Sequence, residues 1–338
     1  MANVTMNDVA RASGVSVMTV SNVINDRPRV GAETKARVLQ VIDDLGYEVN
    51  LSAKRLRAGR TSTVGLIVPT LAHPYFGELA ARYVSAFARR GIHVAIEQSG
   101  ASPEGELSAI SRARLQMYDG VVLSVVGLSY RDVDRIQAQI PIVLLGEHDM
   151  PPRFDHVMLA NIDGARIATG HLLDSGRRRV VLVGGESREG AGMAFSRYRG
   201  WHLAHEERGL AIDPSLVVPL PRQEMRDART QTARAIAAGL RFDALFAITD
   251  QDAIGALAAL HDANLTVPSD VSVVGFDNLA VGEHLHPPLT TIDPDNEWVV
   301  EQSTGILCDR IDGDTSPPKQ LIAPARLVER GSTLRRTV

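Results

Sequence analysis

The stretch that decides the N-terminal fold is VTMNDVARASGVSVMTVSNVIND, residues 4–26. Thr5 has the character of a helix N-cap, and Asp8 follows three residues later, which is the spacing of a capping box. Val4 and Val9 occupy the two positions of a hydrophobic staple. A first helix is therefore expected to begin directly after Thr5.

A tight turn and a second helix follow the first. Ser13-Gly14-Val15 interrupts the helical pattern, because Gly14 supplies the backbone freedom of a turn, and Ser16 offers a second cap to a helix that runs through Ile24. This pattern is typical of a helix-turn-helix motif, although a helical hairpin within a larger core would show the same pattern. The predicted small core is Val9, Ala10, Val15, Val20, Val23 and Ile24. The side chains left to face a major groove are Val17, Met18, Thr19, Ser21 and Asn22.

A third helix and a basic segment complete this region. Residues 31–45 carry a helical apolar stripe that ends at Gly46, a predicted C-cap. The stripe consists of Val38, Leu39, Val41, Ile42 and Leu45. The next segment, NLSAKRLRAGR at 50–60, holds four basic residues. Residues 1–60 contain nine Lys+Arg against six Asp+Glu, whereas the rest of the chain is acidic, so positive potential is confined to the part expected to touch phosphates.

With these residues, the chain resembles the LacI/GalR family of bacterial transcription regulators. The family pattern Asn-x-x-Ala-Arg-x-Leu marks a hinge helix that folds on operator DNA, and this chain departs from it only at Lys54. The resemblance implies an α-helical DNA-binding head and a periplasmic-binding-protein-like core. The predicted DNA-contacting residues are Thr5, Ser16, Val17, Met18, Thr19, Ser21, Asn22, Asn25, Asn50, Ala53, Lys54, Arg55 and Leu56.

Beyond residue 61, apolar β-type runs alternate with amphipathic helices, first from Val64 to Leu145 and again from Asp163 to Phe276. This rhythm predicts two doubly wound α/β lobes with parallel sheets, and such lobes bind ligands at the carboxyl ends of their strands. The predicted elements include helices at 104–117 and 131–139 and a strand at 216–220. Residues 321–338 are expected to form a single final strand and a basic tail. The predicted divisions are a head at 1–49, a hinge and linker at 50–60, a first lobe at 61–161 plus about 292–322, and a second lobe at 162–291 plus about 323–338.

Residues at the predicted strand ends supply candidates for a small-molecule effector site. The sequence His73-Pro74-Tyr75-Phe76 resembles the aromatic turn of the family, and Arg197 begins its Arg-x-x-Gly-aromatic motif. Asp250 and Asp277 end two strands of the second lobe, where a carboxylate can instead cap the following helix. The predicted effector-binding residues are His73, Tyr75, Phe76, Arg197, Asp250 and Asp277. An arginine fork with two carboxylates suits a polyhydroxylated ligand, so a sugar is the leading expectation, ahead of nucleobase-like and other small polar metabolites.

Composition excludes several other classes of protein. The 338-residue chain has no apolar run of about 18 residues and no signal-like N-terminus, which predicts a cytoplasmic location. The single cysteine, Cys308, is expected to pack on a helix. No phosphate-loop, metal-ligand or catalytic pattern is present, so neither an enzyme nor a cofactor is predicted.

The resemblance implies a homodimeric repressor on a palindromic operator. The alternatives are an effector-independent DNA-binding protein and a sugar-binding protein without a regulatory role.

Overall fold

The structure is a computed structural model that describes residues 4–24, 27–28, 30–47, 60–146, 150–187 and 192–334. The chain divides into two compact units, Met1–Thr61 and Ser62–Val338. Within the described residues, no helix is long and apolar enough to cross a membrane.

The described residues of the first unit form three helices: α1 (Met6–Ser13), α2 (Val17–Ile24) and α3 (Ala32–Leu45). The predicted capping box is confirmed, since the amide of Asp8 donates to the Thr5 hydroxyl and the Asp8 carboxylate accepts from the Thr5 amide. Gly14 and Gly46 adopt the left-handed conformation predicted for the turn and the C-cap. The helices close over a small core of buried side chains, namely Val9, Ala10, Val20, Val23, Val38 and Tyr47.

The second unit contains two six-stranded sheets, and the sheet that begins with β1 defines the first lobe. Its elements up to the first crossing between lobes are β1 (Thr63–Val68), α4 (Pro74–Ala88), β2 (His93–Gln98), α5 (Pro103–Ala109), α6 (Arg112–Leu115), β3 (Gly120–Val125), α7 (Tyr130–Asp134), β4 (Ile142–Gly146) and β5 (Asp155–Met158). A later strand, β11 (Gln320–Ile322), joins this sheet, whose order is β11-β5-β4-β3-β1-β2 with every pair parallel.

The second lobe follows after only two connecting residues. Its elements are α8 (Asn161–Asp174), β6 (Val180–Val183), α9 (Met193–Glu206), β7 (Val217–Val218), α10 (Met225–Ala237), β8 (Ala244–Ala247), α11 (Asp250–Asp262), β9 (Ser272–Phe276) and β10 (Thr290–Asp293). Short 3₁₀ turns lie at Pro214–Leu216 and Ala280–His284. The chain then forms α12 (Asn296–Ile311), β11 (Gln320–Ile322) and β12 (Arg326–Val328).

The chain crosses between the lobes three times, after β5, after β10 and after β11. The second sheet has the order β12-β10-β9-β8-β6-β7, in which only the β10–β12 pair is antiparallel. Helix α12 returns to the first lobe and packs against α4, β3 and β5. The predicted helix around Cys308 is confirmed, and this half-buried thiol packs against the first-lobe core.

Several predicted bounds were wrong, for local reasons. The helix expected at 104–117 breaks into α5 and α6 because Ser111 adopts an extended conformation. The helix expected at 131–139 ends at Asp134. The strand expected at 216–220 keeps only two residues, since Pro219 has no N–H to extend the ladder. The single final strand is in fact β11 and β12, which lie in different sheets.

Candidate functional sites

Helix α2 in the first unit presents the predicted base-reading side chains. The Ser16 hydroxyl accepts from the Thr19 amide at 3.1 Å and lies 2.9 Å from the Thr19 hydroxyl, so the predicted cap at Ser16 is confirmed. Met18 is 70% exposed, whereas Val17 is half-buried and packs against the small core of the head. Ser21 and Asn22 are half-buried. Met18 is therefore the large side chain of α2 that projects into solvent.

One predicted DNA-contacting residue, Thr5, already uses its hydroxyl in a hydrogen bond within the protein, and several others lie outside the described residues. The Thr5 hydroxyl is 2.6 Å from Asp8 Oδ2, and this bond lowers the pKa of the Asp8 carboxyl. The remaining predicted contacts lie outside the described residues, so their roles stay predictions. They are Asn25, Asn50, Ala53, Lys54, Arg55 and Leu56.

In the second unit, the effector candidates of the first lobe lie at the start of α4, directly after β1. His73 is the N-cap of α4, and its Nδ1 accepts from the Tyr75 amide at 3.3 Å. The Phe76 ring packs edge-on against both His73 and Tyr75, with centroids 5.7 and 5.1 Å away. The Tyr75 hydroxyl donates to Asn296 Oδ1 at 3.1 Å, which ties this turn to the chain's second crossing between the lobes.

The effector candidates of the second lobe are centred on Arg197, which lies on α9 and is only 2% exposed. Its Nε donates to Asn161 Oδ1 at 2.8 Å, and its Nη1 donates to the Ile248 carbonyl. The Asp277 carboxylate lies 3.6 Å from Nη1, and the guanidinium carbon lies 3.5 Å above the Phe276 ring centroid. Four residues of this lobe therefore fix one planar cation at the carboxyl end of the sheet.

His73 in the first lobe lies within electrostatic range of Arg197 in the second. Burial and, to a lesser extent, the positive charge of Arg197 together lower the pKa of His73 to about 4. His73 is consequently neutral at physiological pH, and because its Nδ1 accepts from the Tyr75 amide, its Nε2–H remains as a hydrogen-bond donor. The structure thus places His73 of the first lobe near Arg197 of the second, and a shared effector site stays a prediction.

The two predicted carboxylates occupy different environments. Asp250 is fully buried, and it accepts hydrogen bonds from the Thr291 hydroxyl at 2.6 Å and the Leu279 amide at 2.8 Å. Burial raises its pKa to about 6, although these hydrogen bonds oppose the shift. Gly275 is required beside it, because a Cβ there would lie 2.1 Å from Asp250 Oδ1.

The contacts of Asp250 stabilise the turn that carries Asp277, where Asp277 itself has the strained φ of 123°. Asp277 is the carboxylate that lies beside Arg197. A direct effector contact for Asp250 stays a prediction.

Sequence reasoning missed several residues of this site. Asn161 contacts Arg197 through its side chain, and Asp252 is fully buried one helical turn beyond the Thr249 cap. Glu78 on α4 accepts from the Ala280 amide at 3.2 Å, across the two lobes. Asn161 was missed because the strand before it, β5, contains no continuous apolar run that would mark the strand in the sequence. Asp252 had no clear signal either, because a carboxylate in the first turn of a helix is common and its burial depends on the tertiary fold.

A helix-turn-helix head joined to a two-lobed α/β unit defines the class of ligand-responsive DNA-binding proteins. Residues 5–50 match the family described as bacterial regulatory proteins, lacI family, and residues 169–333 match the periplasmic binding protein-like domain.

Three known proteins align with nearly the whole chain. The ribose operon repressor of Halalkalibacterium halodurans is 30% identical over 97% of this chain and 97% of its own length. The transcriptional regulator CelR in complex with cellobiose is 28% identical with a TM-score of 0.71, covering 98% of this chain and 100% of that chain. The lac repressor dimer bound to operator and an anti-inducer is 26% identical with a TM-score of 0.86, covering 99% and 100% respectively.

The chain therefore belongs to the lacI family of bacterial regulatory proteins. It is a DNA-binding transcriptional regulator with a small-molecule effector, and its relatives are regulators rather than enzymes.

Proposed function

We propose that this chain is a cytoplasmic repressor that binds a palindromic operator as a homodimer and responds to a sugar held between its two lobes. The observation that supports the proposal is that one chain contains both a recognition helix with an exposed Met18, in its first unit, and the buried Arg197 cluster, in its second unit. Support comes from the lac repressor, which binds operator as a dimer, and from CelR, which binds cellobiose.

On the DNA side, each α2 enters a major groove and Met18 contacts the methyl group of a thymine, because its exposed side chain has no strong hydrogen-bonding group. Asn22 hydrogen-bonds an adenine edge. The hinge, which includes Lys54 and Arg55, contacts phosphates, while the two copies of Leu56 wedge open a central base step of the minor groove. Protein symmetry predicts a palindromic operator.

On the effector side, the ligand lies between His73 with the Tyr75–Phe76 pair in the first lobe and Arg197 with Asp277 in the second. The aromatic rings pack on the apolar face of a sugar, and the guanidinium and carboxylate bind hydroxyls. Because the two halves of this site belong to different lobes, occupancy favours one lobe geometry over another. The resulting population shift changes operator affinity.

The test begins with selection of binding sites by the full-length protein from a pool of random duplexes. Selected duplexes are then titrated by fluorescence anisotropy with and without D-ribose or cellobiose. We expect an enriched palindrome and an operator affinity that changes with one of the sugars. Failure to enrich any palindrome would contradict the proposal that the protein binds a palindromic operator as a homodimer. An enriched palindrome whose affinity ignores sugars, nucleosides and organic acids would favour an effector-independent DNA-binding protein.

A further inference from the structure

Asn161 lies at the first of the three crossings between the lobes. Strand β5 of the first sheet ends at Met158, and Asn161 is the first residue of α8, which packs against β9 and β10 of the second sheet. The Asn161 amide donates to the Leu159 carbonyl at 2.9 Å. The residue is buried, with 4% of its surface exposed. Its side chain therefore belongs to the joint between the lobes rather than to the protein surface.

The orientation of the Asn161 carboxamide is fixed by its neighbour. Arg197 Nε lies 2.8 Å from it, and a guanidinium has only donors, so the atom that faces Arg197 must be the amide oxygen. The amide nitrogen, Nδ2, therefore points elsewhere. Among the described residues this buried nitrogen has no hydrogen-bond partner. A buried donor without a partner costs about 1–3 kcal/mol, so its retention calls for an explanation.

Asn161 lies within the packed cluster around Arg197 that forms the second-lobe half of the proposed effector site. Gly164, one turn further along α8, packs so closely on Phe276 that a Cβ there would lie 2.6 Å from Phe276 Cε2. Phe276 is the ring under the Arg197 guanidinium. The first turn of α8, the Phe276 ring and Arg197 thus form one packed unit, and Nδ2 belongs to the same carboxamide that contacts Arg197.

We infer that Asn161 is a specificity-determining residue whose Nδ2 donates a hydrogen bond to an acceptor oxygen of the effector, such as a sugar hydroxyl or ring oxygen. This rests on the proposed function. The same side chain positions Arg197 through its oxygen, so effector binding engages the crossing from β5 to α8 directly. Loss of the donor weakens effector binding while the Arg197 contact persists.

The test compares the full-length wild type with Asn161→Asp, which keeps an oxygen for Arg197 and replaces the donor with an acceptor. Thr169→Val is the matched control, because Thr169 is fully buried on the same helix and its hydroxyl has no hydrogen-bond partner in the described part of the chain. D-ribose and cellobiose are the probes, titrated by calorimetry at neutral pH. We expect Asn161→Asp to weaken sugar binding about tenfold or more, whereas Thr169→Val keeps the wild-type sugar affinity. Wild-type sugar affinity in Asn161→Asp would overturn the inference.

A second arm tests the inference without any ligand. If Nδ2 has no protein partner, Asn161→Asp loses no hydrogen bond. The new carboxylate is paired with Arg197 Nε, unlike the unpaired carboxylate of a residue such as Asp252, and this pairing offsets its desolvation. The Tm of the ligand-free protein therefore stays within about 2 °C of wild type or rises. A fall of more than about 5 °C would show that Nδ2 donates to a protein group and would overturn the inference. If neither sugar binds the wild type, the sugar class of the proposed function fails, and this second arm still decides the state of Nδ2.

Discussion

Replacing Asp252 with asparagine should stabilise the second lobe at alkaline pH and much less at acid pH. Asp252 is in the first turn of α11, with no exposed surface, and within the described residues neither carboxylate oxygen has a hydrogen-bond partner. Burial raises its pKa from the ordinary 3.8 to about 7, with the nearby Asp227 adding to the shift and Thr249 and Arg197 opposing it. The buried side chain is therefore most stable when it is protonated.

The magnitude follows from proton linkage. Between pH 3.8 and about 7, the folded chain retains a proton on Asp252 that the unfolded chain has released, so stability falls as the pH rises through this window. At about 1.4 kcal/mol for each pH unit, the ionised carboxylate costs about 4 kcal/mol above pH 7. More than half of this cost arises between about pH 5 and pH 8. Asparagine has no charge at either pH, so Asp252→Asn removes the pH-dependent cost.

The assay is urea unfolding followed by tryptophan fluorescence. The chain has two tryptophans, and Trp201 lies in the second-lobe core with its indole N–H donating to the Val180 carbonyl at 3.0 Å. A Trp298→Phe background therefore reports the second lobe alone. We expect the stability gained from Asp252→Asn to be about 2–3 kcal/mol larger at pH 8 than at pH 5.

The matched control for this assay is Asp163→Asn, a carboxylate in the first turn of α8 whose side chain is 68% exposed. The control should follow the wild-type pH profile. Asp250, whose pKa burial raises to about 6, is present in every variant, so its own titration cancels in the comparison. A gain from Asp252→Asn that is equal at both pH values would refute the assignment of a buried, titrating Asp252.

Three further predictions concern function. Arg197→Lys keeps a cation beside Asp277 but loses the forked guanidinium and its stacking on Phe276. Calorimetry should therefore show effector binding weakened about ten- to a hundredfold, with operator affinity retained. A normal effector response would remove Arg197 from the site. Leu56→Ala should weaken operator binding about tenfold or more in anisotropy titrations without changing effector affinity, and equal operator binding would exclude the wedge. Met18→Ala should leave the free energy of unfolding within about 0.5 kcal/mol of wild type but weaken operator binding by about 1–3 kcal/mol. The control is Met117→Ala, at a side chain that is 56% exposed on the first lobe, and it should change neither quantity. Equal effects of the two substitutions on operator binding would argue against base reading by Met18.

Features set by neighbouring residues could be predicted from the sequence. The Thr5–Asp8 capping box, the turn at Gly14 and the C-cap at Gly46 depend on a few adjacent residues, and the structure contains all three. The buried parallel strands are also local features, because a continuous apolar run such as residues 142–145 marks them. The alternation of these runs with amphipathic helices was enough to predict two doubly wound lobes.

Features set by distant partners could not be predicted. Strand β5 begins at Asp155, whose carboxylate accepts from Arg310 at 2.8 and 3.0 Å across 155 residues of chain, and its sequence has no apolar run. Asn161 shares this difficulty, since its contact with Arg197 depends on the crossing that follows β5. The separate environments of Asp250 and Asp277 also depend on the tertiary fold, because Thr291 and Leu279 lie far from Asp250 in sequence.

The measurement that tests the account most directly is an anisotropy titration of a selected operator duplex with the full-length protein, in the presence and absence of saturating sugar. The account predicts that the sugar changes operator affinity roughly 5- to 150-fold, which corresponds to a coupling of about 1–3 kcal/mol between the two sites. It also predicts that Arg197→Lys reduces this change. Identical operator affinity with and without a sugar that calorimetry shows to be bound would contradict the coupling between effector site and DNA.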